Sequence, residues 1–260
     1  MHVRLKQGLA GAAAVVVLAA GAAIGFMGGD DSGPSTTTTT TTAAAAPATT
    51  APATKRVAQP VGSTVADAIG AKVDLYREPN VVYEEKPWLD NPTHEGLYVV
   101  FLVLEDRGPW LKVRVSTRPN GLVVWIKRDQ VALRTVPNRV LIEVGARRVT
   151  VFHGDQILLR ETVAVGTDRT PTPVGRFFVD GIVQVPYDTG PYGAYQVSVS
   201  GFSDVLKSFG GGVGQIAMHG TNRPELLGQP VSNGCVRMTN AAITKMAELA
   251  PNGTSVEIVA

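Results

Sequence analysis

Cysteine is nearly missing from this 260-residue chain, where Cys235 stands alone. A single thiol excludes an internal disulfide framework and any Cys-rich zinc or iron–sulfur site. Histidine is scarce as well: His2, His94, His153 and His219 are the whole set, with no spacing that suits a metal. No metal and no cofactor is therefore expected, and a metal-dependent hydrolase is disfavoured. Aromatic residues make up only 6%. A surplus of charge is lacking too. Residues 1–59 carry four Lys/Arg against two Asp, which leaves twenty charges of each sign in 60–260. Without a basic footprint, nucleic acid is not an expected partner. What the chain does have is a 44% hydrophobic fraction against 18% charged residues, which excludes wholesale disorder. With 28 Gly and 17 Pro, turns and strands are favoured over a helical bundle.

The apolar material is unevenly spread. Residues 8–27, GLAGAAAVVVLAAGAAIGFM, carry no charge and follow Arg4 and Lys6. Twenty helical residues reach about 30 Å, enough to cross the hydrocarbon of a bilayer and long for a secretory signal. Residues 1–29 are thus read as a membrane anchor or, with Ala20-Gly21-Ala22 as a cleavage site, a signal peptide. The basic flank leaves the N-terminus cytoplasmic and sends the rest across the membrane. The expected location is extracytoplasmic, in the periplasm or cell wall, with the membrane a partner through an uncleaved N-terminal segment. Residues 30–59, rich in Thr, Ala and Pro, cannot build a core and read as a disordered stalk.

Two strand-rich pieces follow, giving a mostly β fold class. In residues 60–136, Leu97–Leu104 is a β-branched and aromatic run, and Trp110–Val115 alternates apolar with polar residues. Arg118-Pro119-Asn120-Gly121 supplies a turn before Leu122–Ile126. Several short strands of this kind predict a small barrel. In residues 138–260, strands are predicted at Val140–Val144, Arg148–Phe152, Ile157–Val165, Phe177–Val179, Tyr195–Val199 and Gln215–Met218. One helix is expected at Asn240–Leu249, capped by Thr239 or Asn240, with Ile243, Met246 and Ala247 on one face and Pro251 beyond its end. Ser255–Val259 makes a last strand.

A lone thiol in an exported piece is a buried inert residue, a partner for another chain, or a nucleophile. The setting of Cys235, in Ser232-Asn233-Gly234-Cys235 ahead of the predicted helix, points to the last. A loop near a helix N-terminus favours thiolate, and successive amides in such a turn can point at an anion. A thiol nucleophile needs a base, and His219 at the end of a predicted strand is the best placed of the histidines.

With these residues in view, Met218-His219-Gly220-Thr221-Asn222, then Leu227-Gly228, then Ser232-Asn233-Gly234-Cys235-Val236-Arg237-Met238 resembles the signature of L,D-transpeptidases with a YkuD-type catalytic domain. Thr172-Pro173-Val174-Gly175 and Pro251–Val256 match in the same order along the chain. The resemblance covers residues 138–260, and residues 60–136 look like the SH3-like modules that precede such domains. It implies that Cys235 attacks the carbonyl of the third residue of a peptidoglycan stem tetrapeptide, that D-alanine leaves, and that an amine of a second stem takes the acyl group to form a 3→3 cross-link. It implies His219 as the base and the backbone amides of Asn233, Gly234 and Cys235 as an oxyanion hole. Gly220 would orient the base through its carbonyl, and Arg237, Thr221, Asn222 and Ser232 would contact substrate. Carbapenem-type β-lactams would acylate Cys235. The family usually has His where this chain has Asn233, a departure that leaves His219 and the backbone donor in place. Two other readings compete: an L,D-carboxypeptidase that passes the thioester to water, and a catalytically weak wall-binding protein.

Overall fold

The computed structural model describes residues 62–186 and 188–260. The expected anchor and stalk, in residues 1–59, lie outside the described residues. Among the described residues no helix is long and apolar enough to cross a membrane.

The first nine strands are β1 (Ser63–Ala68), β2 (Lys72–Asp74), β3 (Tyr76–Glu78), β4 (Val81–Val82), β5 (Trp88–Asp90), β6 (Val100–Arg107), β7 (Trp110–Arg114), β8 (Val123–Lys127) and β9 (Val131–Val136). Seven of them form an antiparallel sheet in the order β4-β3-β8-β7-β6-β1-β9, and β2 pairs with β5. The alternation in β7 has a direct consequence: Leu111 and Val113 point into a core with Phe101, Leu75 and Ile126, while Trp110, Lys112 and Arg114 point away. Outside that core, the guanidinium of Arg107 sits 4.7 Å from the centre of the Trp125 ring.

The expected strand at Leu97–Leu104 starts later and runs further than its sequence predicts. Asn91 Oδ1 accepts the Val99 amide at 2.8 Å and Leu97 O accepts the Thr93 amide, so Leu97–Val99 belongs to a turn. At the far end Arg107 pairs with Trp110, which draws the polar residues 105–107 into the hairpin.

The later strands are β10 (Asn138–Glu143), β11 (Arg148–His153), β12 (Gln156–Thr162), β13 (Val165–Gly166), β14 (Gly175–Gln184), β15 (Tyr195–Phe202), β16 (Gln215–His219), β17 (Pro230–Ser232), β18 (Val236–Arg237) and β19 (Ser255–Val259). Eight form one sheet in the order β12-β11-β10-β19-β14-β15-β16-β18. The single helix of the described residues, α1, covers Asn240–Leu249. Thr239 caps it by accepting the Ala242 amide at 3.1 Å, and Ala242, Ile243 and Met246 pack into the sheet core. The predicted strand at Ile157–Val165 is broken in two, because Val163 N–H bonds to Arg147 O and Ala164 is taken by Arg237.

The two sheets meet over a third, smaller cluster of Val65, Val100, Leu102, Val136 and Phe178. Gly253 is needed there. Its φ is +89°, and a Cβ would come within 2.3 Å of Val65 Cγ2. Beside it Arg134 pairs with Asp67 and donates to Asn252 O at 2.8 Å.

Candidate active site

The site forms where the sheet ends in a parallel pair. β18 runs beside β16 with Met218 opposite Val236 and His219 opposite Arg237. Opposed residues in such a pair point to the same face, and alternate residues share it. Met218 and Val236 enter the core. His219 and Arg237 therefore take the other face, and Cys235, two residues before Arg237, falls on their side. The pairing closes a sixteen-residue separation in sequence into one strand spacing.

His219 is 96% shielded from solvent, with Nδ1 2.7 Å from the carbonyl of Gly220. A carbonyl can only accept, so Nδ1 carries the proton and Nε2 keeps a lone pair. Burial pushes the His219 pKa down to about 4; the Gly220 contact opposes this and the charge of Arg237 reinforces it. The imidazole is thus neutral at neutral pH, the form in which it can take a proton.

Cys235 is free and half-buried. Burial pushes its thiol above the ordinary range, against the downward pull of the Ala217 backbone and of Arg237. This corrects the expectation of a thiolate favoured by a helix terminus. Strand β18 and Met238-Thr239 separate Cys235 from the first residue of α1, so desolvation rather than the helix dominates. At rest the pair is thiol and neutral imidazole.

The turn that carries the thiol is tied down from both sides. Ser232, fully buried, accepts the Gly234 amide at 3.1 Å and donates to Cys235 O at 2.5 Å through one hydroxyl. Thr172, also buried, donates to Gly234 O at 2.9 Å and accepts the Gly166 amide at 2.9 Å. Thr167 N–H and Thr170 Oγ1 both donate to Ser232 O at 3.1 Å. Gly234 has φ +112°, which a side chain would strain. Two of the expected roles change accordingly. The Gly234 amide is committed to Ser232 Oγ and is not available to an oxyanion. Ser232 shapes the turn instead of facing a substrate. Among the described residues the amides of Asn233 and Cys235 have no protein acceptor.

The remaining expected residues separate into two groups. Arg237 stays in the site: its Nε is buried without a hydrogen-bond partner among the described residues, and its backbone pairs with Ala164. Thr221 is buried but turned inward, its hydroxyl accepting the Arg223 amide at 3.0 Å and its own amide bonded to Asn240 Oδ1. Asn222 and Asn233 are exposed.

Three residues matter that were given no role from the sequence. Thr172 was noted only as part of a motif. Tyr192 lies edge-on to His219, ring centres 5.1 Å apart, and its phenol is pushed up by burial and then by the nearby Cys235. Asn240 fastens the loop that carries Tyr192, donating to Asp188 O at 2.9 Å while Oδ1 accepts from Thr221. A Cβ on Gly193 or on Gly220 would lie 2.0 or 2.3 Å from that Oδ1. Two backbones and one amide side chain share a space that only glycine permits. Gly220 stood in the motif and Asn240 at the start of the expected helix, but nothing local announces their meeting.

Comparison with known proteins matches residues 137–258 to the family model of the YkuD L,D-transpeptidase catalytic domain. Among curated relatives, YkuD of Bacillus subtilis is 35% identical over 124 residues, covering 48% of this chain and 67% of the relative. YqjB of Bacillus subtilis is 32% identical over 129 residues, covering 46% and 69%. Among solved structures, the L,D-transpeptidase LdtMt1 in complex with imipenem aligns at 14% identity and a TM-score of 0.40, covering 63% of this chain and 92% of that one.

Proposed function

The chain belongs to the L,D-transpeptidase family with the YkuD catalytic domain, and on that premise we propose that it forms 3→3 cross-links in peptidoglycan through a thioester on Cys235. The observation that carries this reading is the parallel pairing of β16 and β18. It brings the residue that follows Cys235 beside the strand that ends at His219, whose Nδ1 faces the Gly220 carbonyl, and this supports the pairing of thiol and base.

Cys235 Sγ attacks the carbonyl carbon of the third stem residue while its proton passes to His219 Nε2. The negative charge on the carbonyl oxygen is met by the amides of Asn233 and Cys235. Each such donor is worth roughly 3–4 kcal/mol where it has been measured in other enzymes. Collapse of this intermediate breaks the bond to D-alanine, whose nitrogen takes the proton from His219. A side-chain amine of a second stem then attacks the thioester and gives a proton to His219, which passes it to the departing sulfur, so that the thiol and the neutral imidazole are restored as the new amide forms. Arg237, whose Nε has no hydrogen-bond partner among the described residues, offers a cation to a stem carboxylate. The high thiol pKa fits this order, since proton transfer accompanies attack and no resting thiolate is needed.

We read residues 60–136 as an SH3-like module, and residues 1–29 and 30–59 as an anchor and stalk that hold the enzyme outside the cytoplasmic membrane. Carbapenems are proposed as covalent inhibitors at Cys235.

The test is mass spectrometry of the full chain incubated with disaccharide-tetrapeptide. A dimer that has lost one D-alanine supports the transpeptidase. Tripeptide without dimer would replace it with the carboxypeptidase. Unchanged substrate, with no carbapenem adduct at Cys235, would leave only the wall-binding reading.

A further inference from the structure

The turn after β7 reaches across to the loop that leads into the catalytic strand. Arg118 Nη1 donates to Ser203 O at 2.9 Å, and Nη2 donates to Leu206 O at 3.2 Å and Val213 O at 3.0 Å. Its guanidinium also sits 5.2 Å from the centre of the Phe202 ring. Two residues on, Asn120 Oδ1 accepts the Phe202 amide at 2.8 Å and Nδ2 donates to Phe202 O at 2.7 Å. One guanidinium thus closes three carbonyls of the 203–214 loop, and one amide side chain brackets the residue where β15 ends.

That loop is the connection between β15 and β16. It is pinched at its base by Ser203 N–H bonding to Gly214 O at 2.8 Å. Gly214, at φ +71°, lies against Leu206 O and Arg118 Nη2, so close that a Cβ would fall 2.0 Å from the former. The next residue, Gln215, opens β16. It donates to Asp180 Oδ2 at 2.7 Å and Val199 O at 3.0 Å, and the same Asp180 oxygen accepts from Ser116 of the N-terminal module. Residues 116–120 therefore hold both ends of the loop and, through Asp180, the root of β16.

Register is what this arrangement secures. β16 is five residues long and ends at His219. Its pairing with β15 is irregular, with a shift between Ser198 and Phe202. A slip of one residue in a strand turns every side chain to the other face. Here it would send His219 into the core and Met218 into the site. Ala217–His219 pair regularly with Gln196–Ser198, and the ladder breaks at the Gln215 end, which is the end that the bonds from Arg118 and Asn120 hold.

We propose that the N-terminal β module is a working part of the transpeptidase and not only a spacer: Arg118, with Asn120, is a positioning residue that fixes the register of β16 and so the place of the His219 base. The inference rests on the transpeptidase reading with His219 as base. Its test includes a readout that does not depend on that activity. The interface offers its own control in Arg134, which bonds to Asn252 O on the turn before β19, away from β16.

The full chain is compared with its Arg118→Ala, Arg118→Lys and Arg134→Ala variants. In Arg118→Ala, kcat should fall roughly ten- to a hundredfold with KM nearly unchanged, the scale expected when a reacting group is misplaced by about 1 Å. Amide hydrogen exchange over Ile216–His219 should quicken in parallel. Lysine has one nitrogen for three carbonyls and should restore only part of kcat. Arg134→Ala should lower the melting temperature and leave kcat as in the wild type. Should Arg118→Ala fail to fold, Asn120→Asp, which keeps the acceptor for Phe202 N–H and loses the donor, takes its place with the same two readouts. Wild-type kcat with unchanged exchange in β16 would overturn the proposal. So would an equal loss of kcat in Arg134→Ala, which would make the effect a general loosening of the interface. If the wild-type chain makes no cross-link, the functional reading fails, while the exchange data still decide whether Arg118 holds β16.

Discussion

The two β modules are built from similar strands, yet their interiors differ. Among the described residues, the core of 62–136 is lined by Val, Leu, Ile, Phe, Trp and Ala, and no polar side chain there is fully buried. The catalytic module buries Asn138, Thr150, Thr172, Ser200, Ser203, His219, Thr221, Ser232 and Thr254. Each buried polar group costs free energy unless it is bonded, so they accumulate only where something depends on them. Thr172, His219, Thr221 and Ser232 gather around Cys235 and its turn. The first module is a scaffold stabilised by apolar burial; the second uses part of its interior to shape a turn and hold a neutral imidazole.

Four measurements would break or sharpen that contrast. The largest effect belongs to Cys235→Ala. It should lower cross-linking by about 10³-fold or more, because no other side chain of the chain forms a thioester, while the melting temperature changes little. A variant that still makes dimers would remove the thiol from the mechanism.

His219→Ala should lower kcat by roughly 10²–10⁴, the scale of a lost general base. The same residue predicts a pH dependence. With its folded pKa near 4, the wild-type base should keep working well below the ordinary histidine value of 6.5. Between these values the unfolded chain binds the proton and the folded chain does not, so stability should fall as pH drops from about 6.5 to about 4. Thermal melts of wild type and His219→Ala across that window should converge at low pH only if this ring is the cause.

A third pair of variants tests the interiors directly. Leu111→Ala, in the apolar core, should cost about 2–5 kcal/mol of stability without altering kcat of the protein that remains folded. Thr172→Val should cost only about 1–3 kcal/mol, by orphaning the Gly166 amide and freeing Gly234 O, yet should lower kcat. Denaturant melts and steady-state rates on both would show whether stability and activity separate between the modules as their interiors do.

The smallest effect is expected from Asn233→His. The side chain is exposed and the backbone donor survives, so kcat/KM should change by less than about tenfold, or ~1.4 kcal/mol in barrier. A large gain with a new ionisation in the pH profile would show that a second titrating group belongs in the site.

Much of this was legible in sequence because it is local. The helix at Asn240–Leu249 follows from its cap and spacing, and the last strand at Ser255–Val259 from alternation after a Gly turn. Cys235 and His219 stood out because thiols and imidazoles are rare here. Short elements were missed. β17 and β18 hold three and two residues, too few to show a period, and exist through pairing with β13 and β16. The helix dipole expectation for Cys235 failed for the same reason, since β18 intervenes unannounced.

The sequence by itself determined the strand-rich class, the one helix of the described residues and the candidates for nucleophile and base, because propensity, periodicity and functional-group chemistry belong to residues and their neighbours. The tertiary structure decided the protonation states, since burial sets them and burial is made by distant segments. It also decided that Ser232 and Thr172 serve the turn, that Tyr192 lies against His219, and that Arg118 of one module bonds the loop before β16 of the other. The Thr172 and Arg118 contacts span 62 and up to 95 positions of chain, and no local pattern encodes a meeting that only the packed sheets bring about.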